Sequence, residues 1–337
     1  PDAMASRPHG KVGDGINLSH LLVGSEGTLA YSSAITLKLS PLPSKKIMGV
    51  CHFPSFYEAM DAAQHIVTLN PVAVELVDDT MISLAHKIDM FKPTVEAVVN
   101  GNPKSLLLVE FAEEQMDENH QRLKKLHQLM GDLGYSWDKT KKIGGVIDVI
   151  DDKLQSKVSE MRKSGLNIMM SMKDDAKPVS FIEDCAVQLK DLAEYTDGLN
   201  KIFDKYNVKG TWYAHASVGC LHVRPVLNMK IQDDIKKMRN IANETSALVK
   251  KFNGSYSGEH GDGIARSEFN EVMFGKKMIR IFKFIKNSFD PLNIFNPGKI
   301  VDAPQLDSRN LFRYAPSYNA QNINTVLDWS AWTGASG

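Results

Sequence analysis

Short apolar runs and helical repeats alternate along this chain. Ile47 to Phe53 and Leu106 to Phe111 have strand length and strand composition, and Val72 to Leu76 is a shorter run of the same kind. Between them the apolar positions recur at helical spacing. Ser55 to Leu69 is an amphipathic stretch opened by a Ser cap, Asp78-Asp-Thr opens a second helix, and Glu113 to Gly134 is a long charged one stopped by Gly. Further on, the pattern predicts a helix over Val146 to Lys163 ending at Gly165 and a strand over Leu166 to Met172. An extended Lys177 to Ile182 and a helix from Asp184 to Tyr206 follow. Thr211 to Ser217 and Cys220 to Val226 read as two strands meeting near Gly219. A helix from Ile231 to Phe252 leads into the Gly-rich stretch Gly254 to Gly263, and two more helices precede Phe289.

Strands and helices interleave, but several neighbouring strands are hairpin-connected. That predicts an α+β fold with a largely antiparallel sheet and covering helices, rather than a doubly wound one. A strand-like run, Ile35 to Ser40, is closed by Pro41-Leu-Pro43, which marks a domain boundary near residue 42.

The 337 residues allow one large domain or two. Lys and Arg number 40, as do Asp and Glu, so charge favours neither nucleic acid nor an anionic membrane over a small metabolite. Cys51, Cys185 and Cys220 have no CxxC spacing, which argues against a disulfide framework or an iron–sulfur site within these residues and for a reducing compartment. Apolar runs are too short to span a bilayer, and the N-terminus lacks the order of a signal peptide. The expected location is cytoplasmic, free or peripheral to the inner membrane. The chain opens without an initiator Met and closes on a segment holding Trp329 and Trp332 with no pattern to bury them. Those rings fit either a missing partner domain or a strap folded back on this one.

Candidate chemistry collects late in the chain. His215 and His222 flank Gly219, and a tight turn there would let both rings converge; otherwise they are two separate histidines on a hairpin, each bonded locally. Glu259-His260 sits among Gly258, Gly261 and Gly263, where neighbouring side chains need not diverge as on a strand. Two imidazoles and a carboxylate from His215, His222 and Glu259 suit a divalent ion with one open position. Zinc fits best, and manganese and iron are compatible. His260 would stay off the metal as a general base near neutral pH. The alternative is a Gly-rich turn with solvated polar residues. Gly24, Ser25, Glu26 and Gly27 form a turn whose N–H groups could approach a phosphate or a flavin ring, or a plain turn. It lacks GxGxxG and Walker spacing, so neither a nicotinamide fold nor a P-loop is supported. Arg162, Lys177 and Arg224 are the cations that could grip a carboxylate, the arginines by bidentate geometry.

Together these motifs resemble a known family. Gly24-Ser-Glu-Gly-Thr-Leu29, His215 with His222, Glu259-His-Gly-Asp-Gly263 and Asn296-Pro-Gly-Lys299 are similar, in order, to the FAD-linked oxidases of the vanillyl-alcohol oxidase type. That family includes D-lactate dehydrogenase, the glycolate oxidase flavoprotein subunit and D-2-hydroxyglutarate dehydrogenase. Arg162-Lys-Ser-Gly-Leu-Asn167, Pro178 to Val187, Cys220-Leu-His-Val-Arg-Pro225 and Leu327-Asp-Trp-Ser-Ala-Trp332 resemble in particular its large bacterial members, which fuse the flavin module to an iron–sulfur region.

The resemblance implies that residues 1–42 are the tail of a FAD-binding domain, with the Gly24–Gly27 turn and Asn296 near the flavin. Residues 43–302 would be the substrate and metal domain, and 303–337 a linker toward an iron–sulfur region. It implies His215, His222 and Glu259 as metal ligands, His260 as base, and Arg162 and Lys177 as holders of the substrate carboxylate. The reaction would be oxidation of a D-2-hydroxy acid to a 2-oxo acid, with hydride passing to FAD. The family's pyrophosphate loops and its iron–sulfur cysteines are not in this sequence, and Ala214 stands where the family has Gly. The expectation is therefore an internal fragment of a larger enzyme, inactive alone. Its rival is a non-catalytic metal-binding or docking domain that keeps the fold.

Overall fold

A computed structural model describes residues 18–41, 45–137, 142–315, 318 and 323–329. The main sheet has eight strands: β1 (Lys45–Phe53), β2 (Ala73–Asp78), β3 (Ser105–Glu113), β4 (Gly145–Val149), β5 (Lys177–Pro178), β6 (Cys185–Ala186), β7 (Gly210–His215) and β8 (Cys220–Leu227). They run in the order β4-β1-β3-β2-β7-β8-β5, with β6 also on β8, and every pairing is antiparallel. The predicted fold class holds.

The pleat sends alternate residues to opposite faces, and both faces of the central strands are covered. On one face Ile47, Cys51, Phe53, Leu107, Val109, Phe111, Val74 and Leu76 join the larger core. Helices α1 (Phe56–Ile66), α4 (Met116–Asp132), α7 (Leu192–Lys205) and α8 (Gln232–Lys251) close it. On the other face Met48, Val50, Leu106, Leu108 and Val77 meet α2 (Asp79–His86), α3 (Lys92–Val98), α5 (Asp152–Lys163) and α6 (Gly165–Met170). The anticipated caps are made: Ser55 accepts from the Glu58 amide at 3.2 Å and Asp78 from the Met81 amide at 2.8 Å.

Local pattern misleads at four places. Val146 to Lys163 is not one helix: Val146 to Val149 pairs with β1, and α5 starts only after Asp151, whose carboxylate accepts from the Leu154 amide. The β-branched run is claimed by the open edge of β1, a partner that no local window contains. Leu166 to Met172 is not a strand: Gly165–Met170 is helical, burying Ile168 and Met169 while Leu166 and Met170 stay exposed. A short apolar run fits either period, and packing against α2 decides it. The helix expected from Asp184 begins at Leu192, because Cys185–Ala186 is drawn onto β8. Ile35 to Ser40 forms no strand. Lys177 to Ile182 pairs only at Lys177–Pro178, and α3 had no counterpart in the sequence reading. The boundary proposed at residue 42, Trp332, and the ends of the terminal segments lie outside the described residues.

Candidate active site

The site sits on the polar end of the sheet, where β2, β7 and β8 lie side by side. Glu75 pairs with His215 across β2 and β7, and Tyr213 pairs with His222 across β7 and β8. Alternation directs Trp212, Ala214, Leu221 and Val223 into the larger core, so Tyr213, His215, His222 and Arg224 share the opposite face. The turn between β7 and β8 depends on Gly219, whose φ is +68° and whose missing Cβ would lie 2.1 Å from the Val187 carbonyl oxygen. That turn brings the two rings to 5.0 Å between centroids.

The loop from Ser257 to Gly263 folds over this face. Glu259 Oε1 lies 3.2 Å from His215 Nε2 and 3.1 Å from His222 Nε2. His260 stacks on His222, centroids 4.8 Å apart and planes 12° off parallel, with its Nε2 3.4 Å from Glu259 Oε1. The predicted ligands and base are thus in one cluster. Two tighter groupings of ligand-type atoms converge on His222: one with Asp184, Cys220 and Glu259, the other with Glu183 and His260.

Carboxylates that sequence reasoning passed over hold this cluster in place. Glu75 receives His215 Nδ1 at 3.0 Å and pairs with Arg162, whose guanidinium also stands 3.1 Å from that Nδ1. The Glu75 hydrogen bond, opposed by burial, raises the His215 pKa above its ordinary value. Glu183 lies 3.4 Å from His260 Nδ1 and is paired with the buried Arg224, which in turn donates to the Tyr213 hydroxyl at 2.7 Å. Burial pushes the Glu183 carboxyl up, but Ser180, Arg224, His260 and Arg266 outweigh it and leave the pKa low. Asp184, fully buried with φ +81°, accepts from the amides of Glu259 at 2.9 Å and His260 at 2.8 Å and from the Ser257 hydroxyl at 2.6 Å. Those bonds overcome the burial that would otherwise raise its pKa. The signal for Glu183 and Asp184 was a Glu-Asp pair inside an otherwise apolar stretch; Glu75 gave none beyond an interrupted strand.

His222 is 2% exposed, and its pKa is pushed down to about 4 by burial and then by the neighbouring imidazoles. Its Nδ1 is buried with no hydrogen-bond partner among the described residues. The other ring nitrogen, Nε2, faces Glu259, and beside it stands His215, whose Nε2 faces the same carboxylate while Glu75 holds its Nδ1; such a donor set suits a divalent ion. Cys220 lies close by, but burial and the adjacent carboxylates push its thiol pKa far up.

The flavin-side candidates meet the same loop. Gly24, Glu26 and Gly27 all have left-handed φ values, and Gly24 and Gly27 face open surface. Asn296 donates to the Glu26 carbonyl at 2.7 Å, while the Glu26 carboxylate accepts from the Asp262 and Gly263 amides. Lys177 is the predicted residue not brought in: it donates to the Met172 carbonyl and its backbone pairs with Leu227, at the far end of β8 from His222.

The family model of the C-terminal domain of FAD linked oxidases matches residues 42–300. D-2-hydroxyglutarate dehydrogenase of Haemophilus influenzae is 31% identical over 299 residues, covering 87% of this chain and 28% of that protein. The enzyme of the same name from Pantoea ananatis is 32% identical over 288 residues, covering 84% of this chain and 28% of its own. This chain therefore spans less than a third of the length of these curated relatives. Among solved structures, 4-ethylphenol oxidase from Gulosibacter chungangensis superposes with a TM-score of 0.55 at 12% identity, covering 80% of this chain and 56% of that one. At that identity the likeness is one of fold.

Proposed function

This chain belongs to the FAD linked oxidases, whose C-terminal domain its residues 42–300 match, and on that premise we propose that it is the substrate and metal domain of an FAD-dependent D-2-hydroxy acid dehydrogenase. The observation that carries the reading is the convergence of Glu259 on both His215 and His222, with His260 stacked against the pair. Similarity to two D-2-hydroxyglutarate dehydrogenases supports the substrate class. When bound, FAD would accept the hydride of the substrate's α-carbon, and a divalent metal would polarise the α-hydroxyl.

His215, His222 and Glu259 would hold that metal, with zinc the ion their chemistry favours. His260 takes the hydroxyl proton as the carbonyl forms. Its Nδ1 is turned toward Glu183, so the proton would go to Nε2, the nitrogen on the Glu259 side. Arg162 grips the substrate carboxylate, presented by Glu75 from behind. Lys177 would join it only by leaving the Met172 carbonyl. Gly24, Ser25, Glu26, Gly27 and Asn296 form the flavin-side wall. Within a longer protein, the remaining flavin-binding half would lie before this chain and an iron–sulfur electron outlet after it. Among the described residues no helix is long and apolar enough to cross a membrane, and we assign the protein to the cytoplasm, free or peripheral to the inner membrane.

The test is made on the full-length flavoprotein carrying this chain. Reduction of an artificial acceptor should follow D-2-hydroxyglutarate or D-lactate and not their L forms. Mass spectrometry should find about one divalent ion per chain, lost in His222→Ala. A flavin- and metal-loaded protein that turns over no D-2-hydroxy acid would sink the proposal.

A further inference from the structure

We propose that Glu26 is a positioning residue whose carboxylate anchors the His260 loop to the flavin-side turn. The inference rests on the proposed function for its consequence in catalysis, but its geometry stands apart from that reading. Left-handed φ values at Gly24, Glu26 and Gly27 curl this turn so that the Glu26 side chain points back into the protein. Both carboxylate oxygens are then engaged, Oε1 by the Asp262 amide at 2.5 Å and Oε2 by the Gly263 amide at 2.8 Å. Its own carbonyl accepts from Asn296 Nδ2 at 2.7 Å. One residue thereby ties its own turn to two segments that lie 236 and 270 positions away in the chain. Hydrogen bonds from amides to an ionised carboxylate are of the stronger kind.

The fit leaves no slack. Gly261 has φ +82°, and a Cβ there would stand 2.9 Å from the Glu26 carboxyl carbon. On its other side the loop is held by Asp184, which takes the amides of Glu259 and His260. His260 therefore hangs between two carboxylates, Asp184 before it and Glu26 after it. Asp184 fixes the loop to the sheet that carries His215 and His222, and Glu26 fixes it to the turn beneath the expected flavin. Through that second tie, the distance from base to cofactor becomes a property of Glu26. Its side chain serves the loop and not the cofactor, which only the backbone and glycines of the turn are left to meet.

The experiment compares wild-type, Glu26→Ala and Glu26→Gln forms of the full-length flavoprotein. Glu26→Ala should lower kcat ~10- to 100-fold while FAD content and KM stay within about threefold, since displacement of a reacting group by about an ångström costs that much. Glu26→Gln keeps one acceptor oxygen but turns an NH2 toward the second amide, so it should recover only part of the loss. Amide exchange, read without substrate, should quicken in the segment from Glu259 to Arg266 in Glu26→Ala and less in Glu26→Gln. FAD loss in step with activity, or wild-type kcat and exchange in Glu26→Ala, overturns the proposal. An inactive wild type would sink the dehydrogenase reading and leave the anchor to be decided by exchange. If Glu26→Ala does not fold, Glu26→Asp withdraws the same carboxylate by one methylene: a kcat loss with faster exchange at full flavin content supports the anchor, and flavin loss or wild-type exchange overturns it.

Discussion

One face of one sheet carries two regions of opposite character. Over β1, β3 and the end of β2, that face is apolar: Met48, Val50, Leu106, Leu108 and Val77 pack under Met81, Val158, Met161 and Ile168. Over β2, β7 and β8, the same face carries Glu75, Tyr213, His215, His222 and Arg224. Val77 and Tyr213, directly paired, mark the seam. Helices lid the first half and a glycine-rich loop lids the second, since a helix face has too few backbone donors free to satisfy Asp184 and Glu26. The apolar half lowers free energy by removing surface from water. The polar half removes carboxylates and imidazoles from water and offsets that cost by pairing them with one another. The first half is built for burial, and the second holds the candidate site.

The largest effect that would sharpen this division is at the loop. His260→Ala should lower kcat of the full-length enzyme ~10²- to 10⁴-fold. Its ring is 39% exposed, so the unfolding midpoint should hardly move. Equal losses of activity and stability would break the division. Met81→Ala makes the converse case. The side chain is 1% exposed in the apolar half, so truncation should cost ~2–5 kcal/mol in urea unfolding and leave metal content unchanged.

A smaller and pH-dependent effect sits at the seam. Asp78 is 3% exposed and accepts from the amides of Met81 and Trp212, joining α2 to β7. Burial, resisted by those two bonds, pushes its pKa from 3.8 up to about 7. The native state therefore holds this proton where the unfolded chain has released it. The contribution is full below about pH 4 and is lost as pH rises through about 7, on the order of 4 kcal/mol. Asp78→Asn keeps an acceptor and should flatten stability against pH across that window. An unchanged slope would mean that Asp78 titrates alike folded and unfolded.

That the candidate residues would meet was legible because their signals are local. His215 and His222 face each other on account of a glycine between them, and Glu259-His260 announces itself by the glycines around it. The supports were not legible. Glu75 lies 140 positions from His215, and Glu26 lies 236 from Asp262. Such pairs are ordinary polar residues until the fold sets them together. Lys177 shows the reverse, a cation of the right type turned to a backbone carbonyl.

Local signals were enough for the α+β class, the strands from Ile47, Leu106, Thr211 and Cys220, the Ser55 and Asp78 caps, and the residue types of the candidate site. Each rests on periodicity or capping within a few residues, where the backbone's own preferences decide. Long-range packing was needed to put Val146 to Val149 on the edge of β1, to coil Gly165 to Met170, and to set Asp184 and Glu26 on the two sides of the His260 loop. Those outcomes depend on which unpaired backbone groups and which apolar surfaces remain once the rest of the chain has packed. That information lies in contacts across the chain, not in any stretch of it.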